Sequence, residues 1–261
     1  MARNRIIAIA NQKGGVGKTT TAINLGAALA MAGHSTTLID LDPQGNASTG
    51  LGIPVDQRST TVYDLLAGPE GLTDCTVETG IPNLSLVPAT PDLSSADVEL
   101  SQTRDRSRLL RRKLDKAGPE TVILIDCPPA LGLLTLNAMM AADGVLVPLQ
   151  AEFYALEGLS QLLTTIKQVR NGGNPDLRVN GVLLTMSDSR NNLSQQVEAD
   201  VRATLGDLVY PTIIPRNVRV SEAPSFAQPV LLYDPASKGS TAYRQFAAEF
   251  AARLNLVKED A

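Results

Sequence analysis

Short, continuously apolar runs alternate along this chain with longer stretches in which apolar residues recur every three or four positions. The runs predict strands over 5–10, 36–41, 84–88, 121–126, 144–149, 179–185 and 209–214. The stretches predict helices over 18–32, 62–66, 96–117, 133–142, 155–170, 193–205, 218–226 and 241–254. Strands that are apolar on both faces belong to a mostly parallel sheet covered on both sides. The strand–helix alternation implies a doubly wound α/β fold with ligands bound at the carboxyl ends of the strands. No linker, repeat or low-complexity tract divides residues 1–261, so a single domain is expected, with the irregular region 50–91 as a surface excursion.

The first strand-to-helix turn carries the chemistry. Asn11-Gln12-Lys13-Gly14-Gly15-Val16-Gly17-Lys18-Thr19-Thr20 follows an apolar run and opens an Ala/Leu-rich helix. Glycines let successive backbone N–H groups converge on phosphate oxygens, and the helix N-terminus behind them adds partial positive charge. Lys18 can then reach β- and γ-phosphates, and the Thr19 hydroxyl can hold Mg²⁺. The chain is therefore expected to bind a nucleoside triphosphate through a P-loop. Gln12 stands where the general pattern has glycine, and a second lysine, Lys13, opens the loop. Lys13 is too close to the turn to curl onto its own γ-phosphate. It either points across an interface at a nucleotide held by another copy or is a solvated surface lysine.

Two later strand ends carry carboxylates. Asp40 and Asp42, two residues apart, point to the same side, where they would hold the Mg²⁺ shell and orient water. The other reading is a solvated turn, since Asp-Pro and Gln-Gly-Asn are good turn formers. Val122-Ile123-Leu124-Ile125-Asp126 ends in the carboxylate expected to reach Mg²⁺ through water.

These motifs resemble one family. K-G-G-V-G-K-T-T is similar to the deviant Walker A signature of the ParA/MinD/Soj ATPases, whose first lysine acts in trans, implying an ATP-sandwiched homodimer with slow intrinsic hydrolysis. D-x-D-P-Q-G-N resembles the ParA switch I, which implies that Asp42 is the main hydrolytic residue and that Asp40 supports metal and water. Asp126-Cys127-Pro128-Pro129 resembles switch II. Residues 214–225 resemble the long signature I-P-R-N-x-R-x-S-E-A-P-S of the chromosomal ParA/Soj branch, and the similarity spans residues 4–255. The resemblance implies ATP as the nucleotide, with Pro215 and Asn217 against the adenine. It implies nonspecific double-stranded DNA binding through Arg216, with Arg219, Lys238 and Arg244 as weaker additions. It also implies a ParB-like centromere-binding partner that stimulates hydrolysis, and a cytoplasmic, nucleoid-associated site of action for chromosome or plasmid cargo. The loop begins too near the start to leave room for the N-terminal helix-turn-helix domain of longer relatives.

Composition narrows the picture. The net charge of −4 supplies no global drive toward nucleic acid, so DNA binding needs a local patch or one built by dimerisation. A second basic run, Arg104 to Lys113, is expected to be the wet face of a helix rather than a phosphate contact. With 3% aromatics and no Trp, a base-stacking platform is excluded. Two cysteines and one histidine exclude most zinc chemistry, and no apolar run approaches the roughly 20 residues that span a bilayer. Three competing classes remain. A MinD-type membrane cycler needs a basic amphipathic C-terminus, and this chain ends in acidic residues. An iron-protein ATPase needs Cys75 and Cys127 on a dimer face. A ligase or kinase has no substrate motif in its favour.

Overall fold

The computed structural model describes residues 5–115, 122–152, 155–188 and 190–256. Its centre is a seven-stranded sheet: β1 Arg5–Ile9, β2 Thr36–Asp40, β3 Val77–Glu78, β4 Leu84–Val87, β5 Val122–Asp126, β6 Gly144–Gln150 and β7 Arg178–Thr185. The order is β3-β4-β2-β5-β1-β6-β7, all parallel except the short β3 against β4. The helices are α1 Lys18–Met31, α2 Asn46–Gly50, α3 Val62–Ala67, α4 Ala96–Glu99, α5 Leu109–Leu114, α6 Leu133–Ala141, α7 Ala155–Gly172, α8 Asn192–Leu205, α9 Val218–Glu222, α10 Val230–Tyr233 and α11 Lys238–Leu254. The doubly wound, mostly parallel architecture expected from the sequence is the one observed.

The continuous apolar runs divide by strand alternation between two cores. Ile6, Ala8, Ile123 and Ile125 face one, with residues of α3 to α8. Ile7, Ile9, Val122 and Leu124 face the other, with α1, α10 and α11. Phe246 and Phe250 of α11 are fully buried there, and Phe246 meets Tyr210 edge to face at 4.8 Å. β1 lies between β5 and β6, and β2 is beyond β5. The three motif-bearing ends therefore fall side by side, with Asp40 in register with Asp126 and Ile9 also opposite Asp126.

Two expectations fail. The strand over 209–214 does not form. Pro211 within it and Pro215 just after it lack an N–H, and the segment meets β7 through one isolated bridge, Val209 to Val182, with Tyr210 N–H donating to Val182 and Ile214 N–H to Leu184. The helix over 96–117 is broken. α4 runs into a 3₁₀ turn, the chain reverses at Asp105 with φ +57°, and α5 restarts at Leu109. Residues 116 and 117 of that helix, Thr121 of the fourth predicted strand and the acidic tail 257–261 lie outside the described residues.

Candidate active site

The phosphate loop has the backbone its glycines permit. Gly15 and Gly17 take φ of +74° and +85°, and a Cβ at either would meet no atom within 4 Å, so the requirement is conformational and the space before the loop is open. Gly17 directly precedes α1, whose first turn has no acidic residue and no side-chain cap among the described residues. Its N–H groups therefore remain available to an anion. The loop is tied down from behind. Asn11 donates to the Pro148 carbonyl at 2.7 Å, and Thr185 Oγ1 donates to the Val16 carbonyl at 2.9 Å. Val16 itself is packed inside, while Gly14 is exposed and Thr19 and Thr20 are half-buried.

The two lysines part company. Lys18 is 7% exposed, and its Nζ bridges the loop to the Lys13 carbonyl at 3.0 Å. Burial lowers its pKa, opposed by Asp126, Cys127 and Asp42, which places those groups around it. Lys13 points out of the loop, where its ammonium pairs with the Glu152 carboxylate just beyond β6, both side chains remaining partly exposed.

Asp126 closes β5 with both carboxylate oxygens buried and without a hydrogen-bond partner. Burial first, then the neighbouring Asp40, raises its pKa well above the ordinary carboxylate value. Thr19 and Lys18 act in the opposite direction, Thr19 without a hydrogen bond of ordinary geometry. An orphaned carboxylate beside a threonine hydroxyl and an open anion cradle is the donor set a hydrated magnesium–phosphate group would satisfy. Asp40 is also fully buried, and burial pushes its pKa up to about 6. Its carboxylate is already engaged. Oδ2 accepts from Ser48 N–H at 2.8 Å and Ser48 Oγ at 2.7 Å, and Oδ1 from Asp42 N–H at 3.3 Å. Asp42 is half-buried and accepts from Gln44 N–H at 3.0 Å, with Gly45 left-handed behind it. The turn exists, near enough to Lys18 for Asp42 to act on its charge, but it is not a solvated one, since Asp40 is fully buried.

In the segment expected to meet the base, Ser187 bridges Pro215, which is half-buried, and Arg216 N–H donates to Ser187. Asn217 caps α9, its Oδ1 accepting from Arg219 and Val220, so only its amide NH₂ is left for a ligand. The structure sorts the basic residues as follows. Arg216 is exposed with no ion pair among the described residues, whereas Arg219 pairs with Glu222 at 2.9 Å and Asp234 at 3.3 Å. Lys238 is exposed at the start of α11, and Arg244 donates to the Pro235 carbonyl at 2.7 Å. In the second basic run Arg111 donates to Gly173, Arg112 pairs with Asp105, and Lys113 donates to Gly68 and Glu70. Sequence reasoning missed Ser48 and Glu152. Neither belongs to a recognisable motif, and only tertiary contact joins them to the site. Cys75 and Cys127 are both buried, so neither presents a thiol on a face.

Comparison with known proteins agrees with this geometry. A family model for an AAA domain matches residues 4–179. The chain is 60% identical over 252 residues to the chromosome partitioning protein ParA of Caulobacter vibrioides, covering 95% of this chain and 94% of the relative. It is 51% identical over 249 residues to the sporulation initiation inhibitor protein Soj of Bacillus subtilis, covering 95% and 98%. Among solved structures, the cobyrinic acid a,c-diamide synthase of Mycobacterium smegmatis with bound ADP and magnesium superposes with a TM-score of 0.84 at 38% identity, covering 97% and 96%. Sequence identity is higher to the partitioning proteins, over nearly the whole length. The chain belongs to the ParA/Soj family of chromosome-partitioning ATPases.

Proposed function

We propose that this ATPase works as an ATP-sandwiched homodimer that coats double-stranded DNA nonspecifically and leaves it on hydrolysis. The backbone of residues 14–17, Lys18, Thr19 and Thr20 holds the phosphates, and Pro215 with the Asn217 amide holds the adenine. Thr19 and Asp126 fit a magnesium ion, with Asp40 in support. Magnesium would neutralise charge on the β- and γ-oxygens. Asp42, at the mouth, accepts a hydrogen bond from the attacking water. That water forms a bond to γ-phosphorus as the β–γ bridging bond breaks and its electrons pass to ADP, and the water's proton ends on the released phosphate. Lys13 of one copy enters the other copy's pocket and stabilises the developing charge. Arg216 leads the DNA contact, with Arg219, Lys238 and Arg244 at its margin. A ParB-like centromere-binding protein stimulates turnover, and the protein acts in the cytoplasm on the nucleoid. A membrane-cycling role is disfavoured because the apolar face of α11 is spent on the core, with Phe246 and Phe250 buried.

The observation that carries this reading is the division of labour between the lysines. Lys18 spans the loop of its own chain, while the Lys13 ammonium stands outside it on Glu152. Light scattering with magnesium and ATP provides the test. Lys13→Ala is expected to stay monomeric while still binding nucleotide, and normal dimerisation of that variant removes the trans role.

A further inference from the structure

Arg58 lies outside every motif, yet it is 6% exposed. Among the described residues no carboxylate pairs with it, and its hydrogen bonds go to neutral oxygens. Nε donates to the Ile53 carbonyl at 3.0 Å and Nη2 to the same carbonyl at 2.7 Å. Nη2 also donates to Thr49 Oγ1 at 2.9 Å, and Nη1 to the Ala89 carbonyl at 2.8 Å. Thr49 Oγ1 in turn donates to the Gly45 carbonyl at 3.1 Å. Ala89 is gripped from its other side, its N–H donating at 3.1 Å to the same Ser48 Oγ that donates to Asp40. One guanidinium thus closes a ring running Asp40–Ser48–Ala89–Arg58–Thr49–Gly45. It fastens α2 and the loop after it to the exit of β4. Gly45 has no room for a side chain, because a Cβ there would collide with the guanidinium and crowd the Ala89 carbonyl.

Burying a charge without an ion pair is costly, and the nearby Asp40 offsets only part of that cost. What the burial achieves here is rigidity in the segment that presents Asp42. We infer that Arg58 is a positioning residue for hydrolysis: it holds residues 42–53 in the arrangement that places Asp42, without touching nucleotide itself. This rests on the proposed role of Asp42. A lysine cannot replace it, since a single ammonium on a flexible stem does not reproduce a planar fork reaching three acceptors.

The test is steady-state ATP hydrolysis with parallel binding of a fluorescent ATP analogue, for Arg58→Lys, Arg58→Ala, Thr49→Val and Asp42→Ala. Misplacement on the ångström scale predicts kcat lower by about tenfold or more for both Arg58 variants, with KM and nucleotide affinity within about threefold. Millimolar guanidinium should restore part of the rate of Arg58→Ala. Thr49→Val, which removes one acceptor at nearly constant volume, should give a smaller fall in kcat, and with Arg58→Lys it carries the test if Arg58→Ala does not fold. Wild-type kcat in the Arg58 variants beside an inactive Asp42→Ala overturns the inference alone, as does a defect confined to KM. Wild-type hydrolysis by Asp42→Ala overturns the underlying reading and the inference with it.

Discussion

Asp126 is a group kept at a cost. Its oxygens are buried and unpartnered, and its pKa is raised, burial being the larger cause and Asp40 the next. Because the folded-state value exceeds the unfolded one, the folded protein holds the proton more tightly. The contribution of this group to stability is therefore greatest at low pH and declines as pH rises above the unfolded carboxylate value of roughly 4 toward the raised folded value. Asp126→Asn removes its share of that decline and leaves the share of Asp40, whose pKa burial also raises. In the absence of nucleotide and metal, the variant should be more stable than wild type at neutral pH by about 1–3 kcal/mol. Thermal melts across pH test this directly, and parallel slopes for the two proteins would mean that the carboxylate carries no such cost. With magnesium and ATP the order should reverse, because only the wild type has the charge a cation uses. At this scale the phosphate loop was legible from its spacing, and the three aspartates at or just past strand ends were legible from their place beside it and from family resemblance. Asp40 was legible in place but not in detail. Its bonds to Ser48 depend on α2 folding back over β2, and no local pattern announces that.

Elements explain which basic residues have another employment. The run Arg104 to Lys113 was read as one face of a long helix, but the chain turns at Asp105 and spends Arg111, Arg112 and Lys113 on fixed partners. Helical periodicity continued across the break because leucines on both sides pack into the same core, and Asp105 in left-handed backbone is a signal too short to outweigh it. Arg111→Ala and Lys113→Ala should each cost about 1 kcal/mol in chemical denaturation by removing hydrogen bonds to partly buried carbonyls. Their DNA affinity should stay within about twofold of wild type by fluorescence anisotropy, since surface charges already committed elsewhere add little. A parallel loss of DNA binding would return the run to the interface. The start of α9 and the residues before it make the same distinction. Arg219 is ion-paired to Glu222 and Asp234, whereas Arg216 is exposed and acts on Asp188 without an ion pair among the described residues. Arg216→Glu should lower DNA affinity at least tenfold and Arg219→Ala by no more than about threefold, judged by what each charge gives up to bind. Equal losses would show that the ion pairs of Arg219 open on DNA. The missing strand over 209–214 belongs to this scale too. Its apolar residues pack as a strand's would, but Pro211 within it and Pro215 just after it leave it bridged rather than paired.

Taken whole, the molecule carries a net charge of −4, and a dimer carries twice that, so overall charge opposes approach to DNA. On the proposed reading, binding arises where two copies bring their Arg216 surfaces onto one duplex. Affinity gained by joining two weak contacts exceeds either alone by roughly 10²-fold or more. This makes a prediction that a single chain cannot express. In the Asp42→Ala background with magnesium and ATP, log affinity should fall linearly with log salt, by about 0.9 per phosphate contact. A heterodimer of one such subunit with one that also carries Arg216→Glu keeps its interface but has one DNA contact in place of two. Its slope should be about half, and its affinity should fall by far more than the factor of two that halving the number of sites would give. Differently tagged subunits, purified as the mixed dimer and titrated with a short duplex across a salt series, give both quantities at once. Lys13→Ala should abolish DNA binding with Arg216 intact, because it removes the second copy rather than the contact. An unchanged slope in the mixed dimer would place the DNA on one subunit only, and nucleotide would then control binding through the shape of a single chain rather than through the pairing of two.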